Sequence, residues 1–238
     1  MTPELSVVVP VYDEQQAIGP VVEEIVAAVG DDPARVEILL VDDGSRDGTP
    51  EVLAQLAARH AAVRVLTFAV NAGQSAAMAC GFREARGRHV VSLDGDGQSD
   101  PRDIPRLVAL LDRCEVVCGI RRNRRDSLAK RWGSRFANWA RRLATGDEIV
   151  DIGCSLKAYH REPLQRIPYF DGAHRFLPVL LTMEGCRIVQ VEVNHRPRMG
   201  GRSKYGNLSR LGRTWQDLLG VRWLQKRRLT YKLKDPSR

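Results

Sequence analysis

Apolar residues follow two alternating rhythms along this chain. Leu5–Val9, Val36–Val41, Val63–Phe68, His89–Leu93 and Glu115–Gly119 are short, nearly continuous apolar runs, as expected of strands buried on both faces. Between them the spacing turns helical. Gln15–Val29 places Ile18, Val22, Ile25, Val26 and Val29 on one stripe. A second helix is predicted from Thr49 to about His60, with Thr49 as N-cap and Pro50 at the first helical position. An Ala-rich helix runs to about Glu84, and another covers Pro101–Leu111. Strands and helices that alternate through short connections predict an α/β fold, a mostly parallel, Rossmann-like sheet with helices on both faces.

After Gly119 the rhythm changes. Ser127–Thr145 reads as a long amphipathic helix carrying Leu128, Trp132, Phe136, Trp139 and Leu143 among lysines and arginines. Asp151–Tyr159 is expected to hold a short strand, Arg175–Glu184 a helix and Arg187–Val193 another strand. Leu208–Gln225, with Leu211, Trp215, Leu218, Leu219 and Trp223, predicts one or two final helices. The expected division is a catalytic domain over residues 1–205, split near residue 120 into two halves, and a basic helical extension over 206–238.

Polar residues collect where the strands end: Tyr12, Asp13 and Glu14; Asp42 and Asp43; Asn71; Asp94 and Asp96. Open α/β sheets bind ligands outside these carboxyl ends, so four strands deliver polar groups to one crevice. Asp94 and Asp96 are alternate residues of an extended segment and point to the same side. Their hard oxygens suit a divalent cation. An EF-hand beginning at Asp94 would need Gly and Glu where Ser99 and Pro105 stand. No GxxxxGK[ST] loop, HExxH motif, nucleophile elbow or GxGxxG fingerprint is present. What remains is a metal held by few protein ligands and completed by a phosphorylated substrate.

Charge sharpens this picture. The formal net charge is +8, yet 121–142 carries nine Lys/Arg against one acid, and 196–238 thirteen against two. The rest of the chain is therefore acidic. Two basic stretches on an acidic domain predict phosphate or an anionic membrane surface as partners. Hydrophobic content of 43% suits a globular protein, and no apolar run is long enough to span a membrane. The first residues do not read as a secretory signal. Five scattered cysteines without a CxxC pair read as reduced cytosolic thiols.

Several runs together resemble the family 2 glycosyltransferases. They are Val8-Val9-Pro10-Val11-Tyr12-Asp13-Glu14, Val41-Asp42-Asp43-Gly44-Ser45-Arg46-Asp47-Gly48-Thr49, Asn71-Ala72-Gly73 and Asp94-Gly95-Asp96-Gly97-Gln98. Asp151–Tyr159 and His195–Tyr205 extend the likeness, which spans about residues 5–220. It is similar in particular to dolichol-phosphate mannose synthases and undecaprenyl-phosphate sugar transferases. The resemblance implies a GT-A fold, a nucleotide-sugar donor (GDP-mannose or a UDP-sugar) and a polyprenyl-phosphate acceptor. It places Pro10, Tyr12, Glu14, Asp42, Asp43 and Asn71 around the nucleotide. It gives Asp94, Asp96 and Gln98 to Mg²⁺ or Mn²⁺, and Arg202 and Lys204 to the donor diphosphate. Arg121, Lys130, Arg131 and Ser134 would hold the acceptor phosphate, and Asp96, Arg121 and Arg202 would carry catalysis. His174-Arg175-Phe176 resembles an acceptor-loop motif.

An ionised phosphate acceptor needs no carboxylate base, only cations beside the donor diphosphate. The expected enzyme is thus an inverting, metal-dependent hexosyltransferase, with mannose favoured by the resemblance. It is expected on the cytoplasmic face of a membrane, docked through basic aromatic segments or a separate anchoring subunit. Two rivals are a transferase acting on a polysaccharide or other non-lipid acceptor, and a nucleic-acid or membrane-binding module. The first needs a base, which the basic 121–142 segment argues against. The second needs one continuous basic face, whereas here acids fill the strand ends, so nucleic acid is not an expected partner.

Overall fold

The computed structural model describes residues 2–122, 141–199 and 207–229. Seven strands form one sheet: β1 (Leu5–Val11), β2 (Val36–Asp42), β3 (Val63–Thr67), β4 (His89–Ser92), β5 (Val116–Arg121), β6 (Lys157–His160) and β7 (Ile188–Val193). Their order is β3-β2-β1-β4-β6-β5-β7. The first four strands pair in parallel, with Val11 opposite Asp42 and Val8 opposite Ser92. β5 and β7 are also parallel, while β6 runs antiparallel to both β4 and β5. The sheet is therefore mostly parallel, as the alternating pattern predicts.

The near-continuous apolar strands are explained by burial on both faces. One face packs Val7, Val9, Ile38 and Leu40 against α1 (Ile18–Val29), α2 (Thr49–Arg59) and α4 (Ile104–Leu110). The opposite face packs Val8, Leu39, Val41 and Val90 against α3 (Gln74–Glu84), α5 (Arg161–Arg166), α6 (Leu177–Met183) and α7 (Asn207–Arg227). α3 lies so close to the sheet that a Cβ on Gly81 would stand 2.4 Å from Val8 Cγ1.

Three local expectations change. Gly48, not Thr49, is the N-cap of α2. Thr49 Oγ1 instead donates to Asp47 Oδ1 at 2.5 Å and accepts from the Glu14 N–H at 2.9 Å. The Asp47 carboxylate also accepts from the Thr49 N–H at 3.0 Å, so it turns the chain into the helix. The Pro101–Leu111 helix opens as a 3-10 turn over Pro101–Asp103, with the Asp100 side chain accepting from the Arg102 N–H. In Asp151–Tyr159 only the last residues are strand, and 151–156 is a loop held by the buried Lys157, whose ammonium donates to the carbonyls of Ile152 and Cys154.

Of the long 127–145 helix, residues 141–145 are helical, and Trp132, Phe136 and Trp139 lie outside the described residues. The five cysteines are free thiols. α7 is a single helix whose Leu218 and Val221 enter the second core. No described helix is long and apolar enough to cross a membrane.

Candidate active site

The carboxyl ends of β1, β2 and β4 meet the first turn of α3 around one cleft. Pro10, Tyr12, Glu14, Asp43, Gln74, Asp94, Asp96 and Arg198 are among its lining residues. Six of these eight were expected from the sequence. The backbone is bent to build it. Asp13 adopts φ 48°, and its Oδ1 accepts from the Arg46 N–H at 2.7 Å. Gly97, at φ +75°, passes so close to Met199 that a Cβ would stand 2.6 Å from its Cγ.

Asp43 ties two of the walls together. Its carboxylate accepts from Asn71 Nδ2 at 2.8 Å and from the backbone N–H groups of Ala72 and Gly73 at 2.7 and 2.9 Å. Burial nonetheless pushes its carboxyl above the ordinary value. Asp42 lies one residue earlier and is fully buried. Its Oδ1 accepts from Ser45 N–H and Oγ, while Oδ2 has no hydrogen-bond partner among the described residues. Asp42, expected at the nucleotide, is therefore buried beneath the cleft residues and is not among those lining it.

Asp94 is held from two directions. Gln74 Nε2 donates to its Oδ1 at 2.9 Å, and its backbone N–H donates to Ser155 Oγ at 3.3 Å. Burial, then the like charge of Asp96, pushes the Asp94 carboxyl up to about 6. Two carboxylates so placed call for a cation. The Arg198 guanidinium takes that place on one of them, bridging Asp96 at 2.8 Å and Glu14 at 3.1 Å. The loop that carries Arg198 is fixed in turn by Arg196, which donates to Glu24 and to the Ser99 carbonyl.

The residues fit a divalent metal. Among the described residues no group of three or more His, Cys, Asp or Glu side chains could hold an ion. Asp94 and Asp96 could supply two carboxylate ligands to such an ion. The N–H of Gln98, the third expected ligand, donates to Asp96 Oδ1 at 3.0 Å, and its side chain is not among those lining the cleft.

Arg121 stands at the end of β5 and is gripped by Asp151, with Nε and Nη2 each 2.8 Å from a carboxylate oxygen. This fork uses two of the five guanidinium donors and fixes the plane of the group. Lys130, Arg131, Ser134, Arg202 and Lys204 lie outside the described residues. His174 Nδ1 is 2.6 Å from Ser75 Oγ, which links the 172–176 segment to the first turn of α3. Sequence reasoning missed Gln74, Ser155, Asp151 and Arg198 as site residues. Each stands within or beside a run that signalled the site, yet only the fold turns these side chains inward.

A family model, "Glycosyl transferase family 2", matches residues 6–168. A dodecaprenyl-phosphate galacturonate synthase from Rhizobium johnstonii is 40% identical over 229 residues, covering 94% of this chain and 68% of its own length. An undecaprenyl-phosphate 4-deoxy-4-formamido-L-arabinose transferase from Pseudomonas savastanoi pv. phaseolicola is 39% identical, covering 84% of this chain and 60% of its own. The chain thus spans about two thirds of the length of these relatives.

Among solved structures, glucosyl-3-phosphoglycerate synthase from Mycobacterium tuberculosis with Mn²⁺, UDP-glucose and phosphoglyceric acid superposes with a TM-score of 0.68 at 22% identity. It covers 94% of this chain and 79% of that one. A mannosyltransferase from Pyrobaculum calidifontis with GDP-Man and Mn²⁺ gives 0.66 at 24%, covering 98% and 66%. These likenesses speak to the fold, which is GT-A-like. With the family model matching 163 of the 238 residues, the chain belongs to glycosyl transferase family 2, a family of sugar-transferring enzymes.

Proposed function

We propose that this protein transfers a sugar from a nucleotide diphosphate donor to a polyprenyl phosphate. The observation that carries the donor half is the pair Asp94 and Asp96 at the end of β4, facing Tyr12, Glu14, Gln74 and Arg198 across one cleft. The acceptor half is supported by the relatives, whose names specify dodecaprenyl and undecaprenyl phosphate.

In this reading Pro10, Tyr12 and Glu14 border the nucleoside. Asp94 and Asp96 hold Mg²⁺ or Mn²⁺. When bound, the metal neutralises charge that grows on the leaving diphosphate. Arg198 is already in the cleft and turns from Asp96 toward the phosphates as the donor enters. Once turned, it would set a positive charge beside the leaving diphosphate, where negative charge develops.

The acceptor phosphate attacks the anomeric carbon as an anion, and inversion follows from a single displacement. Arg121, oriented by Asp151, is the described cation assigned to that phosphate. By the resemblance, Lys130, Arg131 and Ser134 would join Arg121 at that phosphate, and Arg202 and Lys204 would serve the donor diphosphate. The lipid acceptor brings the reaction to a membrane surface on the cytoplasmic side.

The sugar is left to assay. The resemblance favours mannose, whereas the relatives are named for galacturonate and 4-deoxy-4-formamido-L-arabinose. The test is an acceptor competition in Mn²⁺ or Mg²⁺. Undecaprenyl phosphate is offered beside a soluble phosphorylated acceptor and an oligosaccharide, with labelled GDP-mannose and UDP-sugars, UDP-galacturonate among them. Label in the lipid phase, lost in Asp96→Ala, is expected. Label only in a water-soluble product would refute the acceptor.

A further inference from the structure

The last helix, α7, has two apolar faces. On one, Leu218 and Val221 enter the core at 5% and 0% exposure. Gln225 Nε2 on the same side donates to the Thr145 carbonyl at 2.9 Å. Asp217 also faces the body, 3.8 Å from the Arg175 guanidinium and against Gly172, where a Cβ would stand 2.4 Å from its Oδ2.

The other face should be polar in a helix already docked on its own core. Instead Trp215, Leu219 and Trp223 follow one another at i, i+4 and i+8 and are 56%, 52% and 61% exposed. By helical spacing, Arg222 and Lys226 flank this stripe on one side and Arg227 on the other, and all three are exposed. Asp217 is the one acid between residues 207 and 229, and it is turned inward.

An apolar stripe with a cationic rim and no acid selects an occupant that is both apolar and anionic. A second copy of the same face does not qualify, because a two-fold contact would set its cations against one another. α7 is not long and apolar enough to cross a bilayer, so against a membrane it would lie in the plane of the surface. Tryptophan rings sit at the headgroup level, and lysine and arginine gain up to about 1 kcal/mol each beside anionic lipid. We infer that the Trp215–Leu219–Trp223 face of α7 is a docking surface for anionic membrane lipid. This gives the membrane placement of the proposed function a specific face, and its test needs neither donor nor polyprenyl phosphate.

The full chain is sedimented with vesicles of phosphatidylcholine alone, or with about one third phosphatidylglycerol. Strong sedimentation with the anionic vesicles and weak sedimentation with the neutral ones is expected. Trp215→Ser/Trp223→Ser lowers partition by about tenfold, because the deeply seated apolar area is lost. Arg222→Gln/Lys226→Gln/Arg227→Gln lowers it by a similar factor at low salt and flattens its salt dependence. Circular dichroism confirms that the variants keep their helix. If the double tryptophan variant fails to fold, Trp223→Gln alone is used and is expected to weaken binding severalfold.

Three results overturn the inference. They are no sedimentation of the unaltered protein with anionic vesicles, unchanged sedimentation of the folded tryptophan variant, and a lipid-independent dimer that this variant abolishes. Vesicle binding without sugar transfer to polyprenyl phosphate would reject the acceptor and keep the docking face.

Discussion

Replacing Asp94 by Asn is expected to make the metal-free protein more stable while removing its activity. In the folded protein, burial and the neighbouring Asp96 charge hold the Asp94 carboxyl at about 6, against an ordinary 3.8. The folded state therefore binds the proton more tightly than the unfolded chain, and keeping Asp94 ionised costs folding energy. At about 1.4 kcal/mol per pH unit the gap amounts to about 3 kcal/mol at pH 8, as an order-of-magnitude figure. The sign follows from the raised value: wild-type stability falls as pH rises from about 4 to about 6 and is level above that.

Asn is uncharged and keeps an oxygen for Gln74 Nε2, so it escapes this cost. Urea unfolding in EDTA should show Asp94→Asn more stable than wild type by about 3 kcal/mol at pH 8 and by about half that at pH 5. Added Mn²⁺ should stabilise wild type and leave the variant unmoved. A variant less stable than wild type at pH 8, or an advantage independent of pH, would refute the reasoning.

Two further outcomes follow from the same site, and a third from the turn at Gly172. Arg198→Ala removes the guanidinium that lies on Asp96 and Glu14. Calorimetry should then show Mn²⁺ binding to the donor-free protein about fivefold tighter, from about 1 kcal/mol of ion pairing removed, while turnover falls. Gln74→Met keeps the bulk at the start of α3 but deletes the bond to Asp94. The Mn²⁺ dissociation constant should rise about tenfold, with little change in kcat at saturating metal. Gly172→Ala forces a side chain into φ +95° and against Asp217, so urea unfolding should show a loss of about 2 kcal/mol.

The first four strands were legible because each is an apolar run ending in polar residues, and parallel burial leaves that mark. β6 was harder to read. It is four residues long and contains Lys157, a buried cation that resembles a loop residue until its carbonyl partners are seen. Its antiparallel direction is a pairing property that no local pattern encodes. The cleft carboxylates were legible as strand-end acids. Gln74 follows Asn71-Ala72-Gly73 directly, and a positive φ at Gly73 opens the helix so that its first side chain faces Asp94. Arg198 stood within a run used only for resemblance. Its place on Asp96 depends on the anchoring of Arg196 to Glu24, 172 residues away in sequence. In the sequence Asp151 resembles a strand residue, and its grip on Arg121 becomes visible only once 151–156 is a loop.

Metal-assisted transfer to a lipid phosphate at the β4 carboxylates is tested most directly by following labelled sugar from each candidate donor into undecaprenyl phosphate before and after EDTA, and again after Mn²⁺ or Mg²⁺ is restored. Labelled glycosyl polyprenyl phosphate is expected with at least one donor, lost on chelation, recovered with metal and absent in Asp96→Ala. Undiminished transfer in EDTA or in that variant, or no lipid label with any donor, would contradict it.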